Sequence, residues 1–194
     1  MSRPIPIEII PSHIHLSEEH QAKLFGVGQA ATITHALAQS GQFAYAESLQ
    51  VFGKLKRSVT LRVLGPHRKF TQVELTPTEA ALLGLNAPIA RSGEVSQAAT
   101  CRLVGPAGEV EAEASVIIPQ AHLHCSETEA VSLRLQNGKI VEIEIIGEQP
   151  ALLTNVTVRV HPSYRLRLHI HPDIAREYWI SGVVHGKLRD TRAG

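Results

Sequence analysis

The segment IIPSHIHLSEEH, residues 9–20, returns as IIPQAHLHCSETEA, residues 117–130. His13 and His15 recur as His122 and His124 at a constant offset of 109 residues, with a one-residue slip just ahead of the histidines. A second echo lies further along each half. VTLRVLGP (59–66) and QVELTPTEA (72–80) are answered by VTVRVHP (156–162) and RLHIHPDIA (167–175), which sets Glu74 opposite His169 and Pro77 opposite Pro172. Two copies of one unit therefore make up the chain. A duplication of this kind predicts a pseudo-twofold fold in which matched positions meet where the halves pack.

Working outward from the repeat, strand signals dominate. Residues 7–10, 59–64, 72–75, 101–104, 111–118, 140–146, 156–160 and 164–170 are rich in β-branched side chains and bounded by Gly or Pro. Turns are marked by Gly65-Pro66, Gly105-Pro106 and Asn137-Gly138. Short helices fit residues 17–24, 77–83 and 126–133, two of them opening on serine with acidic residues in the first turn. The expected class is mainly β with small capping helices.

The bulk numbers exclude several functions. With 194 residues, 43% hydrophobic and 19% charged, the chain has room for two modest cores filled by aliphatic side chains, since aromatics are only 4%. A formal net charge of +1, with no basic run beyond 187–192, argues against a nucleic-acid partner. Two cysteines are too few for a disulfide framework. No apolar run approaches the ~20 residues of a membrane span. The apolar opening 5–10 is too short and too proline-rich for a signal peptide. The expected location is the cytoplasm.

Six of the eleven histidines form His-x-His pairs: His13/His15, His122/His124 and His169/His171. On a strand, residues i and i+2 share a face, so each pair presents two imidazoles to one ion. Glu74 offers a carboxylate where the other copy has His169. His13, His15, His122, His124 and His169 with Glu74 sum to five imidazoles and one carboxylate, enough for two sites of three ligands each, the number a catalytic zinc uses when one position stays open. A lone His-x-His is more often an ordinary strand face; two in matched repeats, each with a matched third ligand, favour metal. His171 stands opposite Thr76 and is expected outside the ligand set. Cys125 is expected to pack. Arg68, on the turn before Glu74, could grip a phosphate, although on spacing alone a solvated turn charge is the readier reading.

The chain resembles the propanediol-utilisation type of phosphotransacylase, the phosphate propanoyltransferase family, from about residue 5 to 176. The resemblance rests on HIHLS (13–17), GQFA (41–44), RVLGPHRKFTQVE (62–74), SGE (92–94), LVGPAGEVE (103–111), HLH (122–124), NVTVRV (155–160) and LHI (168–170). It implies two small β-barrels capped by short helices: residues 12–119 as the first repeat, 120–189 as the second, completed by strand 1–11, and a disordered tail 190–194. It further implies two zinc ions between the barrels, one held by His13, His15 and Glu74 and the other by His122, His124 and His169, with Arg68 as the phosphate-binding catalytic arginine. Arg62 and Leu64 would line the coenzyme A channel. His35 and Arg176 stand where the family carries a lysine and an asparagine for coenzyme A, and Ser12 and Ala121 where it carries an arginine before each His-x-His. Cys125 replaces its usual methionine, and Tyr178-Trp179 is unusual.

The reaction so implied joins a short-chain acyl-CoA, propanoyl-CoA or acetyl-CoA, with phosphate to give acyl phosphate and coenzyme A, and runs in reverse. No microcompartment-targeting extension is expected ahead of the first strand, and a homodimer is one permitted assembly. A di-zinc hydrolase, a degenerate non-catalytic metal-binding relative, and a nickel or copper site are the competing readings.

Overall fold

The computed structural model describes residues 3–37, 39, 41–147, 150–182 and 184–189; the tail at 190–194 lies outside them. The chain divides into two compact units, Pro11–Pro119 and a second that joins Met1–Ile10 to Gln120–Gly194. It opens with β1 (Ile5–Ile9), a strand of the second unit, and then builds the first. There β2 (His13–His15), α1 (Glu18–Phe25), β3 (Ile33–Ala36), β4 (Phe43–Phe52), β5 (Ser58–Gly65) and β6 (Gln72–Glu74) come in order. They are followed by α2 (Pro77–Leu83), β7 (Ile89–Ala90), β8 (Ala99–Val104) and β9 (Glu109–Pro119). The second unit resumes with β10 (His122–Cys125), α3 (Glu127–Leu133), β11 (Ile140–Ile146), β12 (Ala151–Val160), β13 (Arg167–Ile170), α4 (Pro172–Glu177) and β14 (His185–Leu188).

Each unit closes a six-stranded barrel. In the first the order is β4-β5-β2-β6-β9, and β8 bonds both β9 and β4 to shut the ring, with β3 and β7 appended. In the second it is β11-β12-β10-β13-β1-β14. The two orders correspond position by position, and so do the pairing senses. The His-x-His strand runs parallel to one neighbour (β5, β12) and antiparallel to the other (β6, β13). Closure leaves no strand edge in either ring.

Alternation sorts the side chains. Ile14 and Leu16 face one core while His13 and His15 face outward; Leu123 and Cys125 do the same between and after His122 and His124. Each unit has its own aliphatic core. The expected helices are present. α2 and α3 open with complete capping boxes, Thr76 with Glu79 and Ser126 with Glu129. No helix among the described residues is long and apolar enough to cross a membrane.

The helices of the first unit dock backbone to backbone. A Cβ on Gly53, just past β4, would lie 2.2 Å from the carbonyl oxygen of Leu83 at the end of α2; one on Gly105, just past β8, would lie 2.4 Å from that of Leu24 in α1. Gly53→Ala is therefore expected to lower unfolding stability by about 1–3 kcal/mol, because backbone must shift. Urea denaturation measures it, and an unchanged midpoint would mean that the α2 contact is slack.

Candidate active site

Strand register decides which side chains meet. In the second unit His122 is the Cα partner of His169, and His124 that of Arg167. The ligating atoms of His122, His124 and His169 lie within 4.8 Å of one another, the one such group of metal-donor side chains among the described residues. The rings are 4.6–5.1 Å apart centre to centre. His122 Nδ1 lies 2.9 Å from the carbonyl oxygen of Gln120, which takes its proton and leaves Nε2 with the lone pair. His124 Nε2 is buried with no hydrogen-bond partner, a costly state for a polar atom unless an ion occupies it. Burial, with His122, His169 and Arg159 nearby, pushes the His124 imidazole down to about 2, so it is neutral, as a ligand must be. The donor set fits a divalent cation.

Tyr164 stacks on His124 with centroids 3.9 Å apart. Glu8, from β1, is the Cα partner of His169, and its Oε2 lies 3.3 Å from His169 Nε2 and 3.4 Å from Arg167 Nε. Contact with His169, working against burial, holds the Glu8 carboxyl below its usual range. The repeat pattern marks neither residue. Glu8 has an isoleucine as its counterpart, and Tyr164 lies on the turn ahead of β13.

In the first unit His13 is the Cα partner of Glu74 and Arg62, and His15 that of Gln72 and Leu64. His13 Nδ1 lies 2.9 Å from the carbonyl oxygen of Pro11, which frees Nε2, 3.6 Å from Glu74 Oε2. His15 is engaged otherwise: Arg68 Nη2 donates to its Nε2 at 2.7 Å. Burial, His13 and Arg68 together push His15 down to about 2. A chain of bonds continues from there. Arg68 Nη1 donates to Ser92 Oγ (2.9 Å), and Gln72 Nε2 donates to Ser92 Oγ (2.8 Å) and to Glu74 Oε1 (2.7 Å). Gln72 Oε1 accepts from the Gly93 amide at 2.7 Å. The structure thus joins His13 to Glu74 and His15 to Arg68, and links the two pairs through Gln72 and Ser92. Those two residues carry no metal-ligand or catalytic signature in the sequence. An open pocket of about 820 Å³ lies beside Arg68, with Lys69, His67 and His20 on its wall and four carboxylates, Glu18, Glu19, Glu111 and Glu113, also lining it.

A sequence profile described as phosphate propanoyltransferase matches residues 6–179. The chain belongs to the phosphate propanoyltransferase family. Relatives of that name from Escherichia fergusonii, Salmonella typhimurium and Lachnoclostridium phytofermentans are 40%, 38% and 36% identical to it. The matches cover 89%, 89% and 88% of this chain and 82%, 82% and 80% of the relatives. Phosphate propanoyltransferases are acyltransferases, and the coenzyme A candidates can be placed within the fold of this member. Arg62 and Leu64 adjoin the first histidine pair on β5. His35 is exposed on β3, and Arg176, exposed on α4, pairs with Asp173. His171 is buried as the N-cap of α4, accepting from the Ile174 amide.

Both buried imidazoles link folding to pH. Unfolding returns His15 and His124 toward 6.5, so between about pH 2 and 6.5 the unfolded chain binds protons that the folded chain does not. Chelator-treated protein should be fully stable above pH 6.5. Below it, stability should fall by up to about 1.4 kcal/mol per pH unit for each histidine. Urea midpoints measured across this range check it; a flat profile would mean that the rings are hydrated.

Proposed function

We propose that the protein transfers a short acyl group, propanoyl or acetyl, between coenzyme A and inorganic phosphate, forming acyl phosphate and free thiol and catalysing the reverse. On this reading His122, His124 and His169 hold one zinc ion and His13, His15 and Glu74 a second. The observation that carries the reading is the converged three-histidine group, with a buried, unpaired His124 Nε2, in a member of this family. Bound zinc supplies a Lewis acid that stabilises the departing thiolate and the charge on the reacting oxygens.

The chain's own residues do the positioning. Arg68 lines the open pocket, and its planar guanidinium grips phosphate through two N–H groups on this reading. Ser92 and His15 hold that guanidinium in place. For His15 to serve as a ligand through Nε2, its bond to Arg68 must open, which turns the same N–H toward phosphate. A phosphate oxygen then forms the new bond to the thioester carbonyl carbon, and the C–S bond breaks with its electron pair leaving on sulfur. Transfer is direct. The two thiols that could otherwise carry an acyl group face the cores, with burial raising Cys125 and pushing Cys101 up to about 12.

The test is thiol release from propanoyl-CoA and acetyl-CoA with and without phosphate, with the products analysed. Acyl phosphate is expected; carboxylate would mark a hydrolase. His124→Ala should remove one equivalent of zinc and reduce acyl-phosphate formation at least ~100-fold while circular dichroism stays unchanged. Arg68→Ala should raise the KM for phosphate roughly 10–100-fold; an unaltered phosphate dependence would take Arg68 out of the mechanism.

A further inference from the structure

Among the described residues, Glu8 is the one acidic side chain that strand register places beside the three-histidine group. Strand β1 lies parallel to β13 with Ile7, Glu8 and Ile9 opposite Leu168, His169 and Ile170. Alternation turns Ile5 and Ile7 into the core and Glu8 onto the face that carries the histidines. The corresponding strand of the other barrel, β9, puts Ile117 opposite Glu74. Because Glu74 and His169 are equivalent, the two ladders make Ile117 the counterpart of Glu8, so the carboxylate exists in one copy of the repeat alone. Glu8 Oε2 is buried, lies 3.3 Å from His169 Nε2 and 3.4 Å from Arg167 Nε, and is without an aligned donor. A buried anion held between a cation and an imidazole, at a position where the fold accepts isoleucine, points to a role beyond packing.

We propose that Glu8 is a positioning residue of the three-histidine centre: it takes the Nε2 proton of His169 and so leaves Nδ1 as that ring's lone pair. His122 and His13 use the opposite arrangement, with Nδ1 committed to a backbone carbonyl. Arg167 offsets the charge of the carboxylate and keeps it directed at His169. A carboxylate behind a ligating imidazole raises its basicity and fixes its ring, and loss of such partners typically weakens metal binding 10–100-fold. The inference rests on the metal reading of His122, His124 and His169.

The experiment uses the full chain as wild type, Glu8→Gln, Glu8→Ile and the control His124→Ala. Zinc is titrated into chelator-stripped protein against a chromophoric chelator, and histidine tautomers are read from ¹⁵N NMR of the stripped protein. In wild type, His169 should be the Nε2–H tautomer, and one zinc equivalent should be lost in His124→Ala. In Glu8→Ile, which supplies the residue that β9 carries, the tautomer should become mixed and that zinc should bind 10–100-fold more weakly. Glu8→Gln keeps an acceptor but not the charge; it should retain the tautomer and lose about 10-fold in affinity, and it decides the matter if the isoleucine variant fails to fold. Wild-type affinity in a folded Glu8 variant overturns the proposal while the metal reading stands. Wild-type protein that binds no zinc sensitive to His124→Ala overturns both.

Discussion

The centre depends on a very short strand held on both sides. β2 and β10 carry three and four residues, yet each is bonded to a parallel neighbour and to an antiparallel one. The antiparallel partner fixes the chemistry, because directly opposed residues bring their Cβ atoms to about 4.5–5.5 Å. Two donors two residues apart, with a third directly across the ladder, form a triangle that one ion can span. A one-residue slip would send every imidazole into an aliphatic core. The cores resist that slip: Ile14, Leu16, Leu123 and Cys125 are fully buried on the opposite face of the same strands.

Within that shared frame the copies have parted. Beside the second histidine of each pair, one barrel places Leu64 and Gln72 and the other Arg159 and Arg167. Gln72 bridges Glu74 and Ser92 and so ties the arginine at the pocket to the carboxylate. Arg167 instead pairs with Glu8 and brings a charge the other barrel lacks. The outcome is one neutral amide relay and one ion-paired imidazole cluster on the same backbone. Equivalent positions thus carry unequal electrostatics.

Much of this was legible in the sequence because it depends on short-range pattern. The histidine repeat, the mainly β class and the equivalence of Glu74 with His169 follow from alternation and offset, and the ladder bears the equivalence out. Long strand β4 escaped notice because its polar and apolar residues do not alternate cleanly, and its pairing with β5 shifts register between Ala44 and Ser48. Helix α4 was missed since it opens on His171, not one of the usual capping residues. Glu8 and Tyr164 act through contacts that no local pattern encodes. Glu8 reaches His169 only because the first strand of the chain pairs with one near its end.

Two departures from the family pattern also acquire physical roles. Ser12, ahead of the first histidine pair, donates its hydroxyl to Glu79 and accepts from the Thr76 amide at 3.1 Å, which joins β2 to the capping box of α2. Ala121, ahead of the second pair, is buried in the core of its own barrel. A long cation at either place would break a cap or overfill a core. In the first unit Arg68 already stands at the open pocket with Lys69 beside it. In the second, Arg159 and Arg167 flank His124 from both neighbouring strands. Positive charge thus stands on the loop before Glu74 in the first unit and on the strands beside His124 in the second.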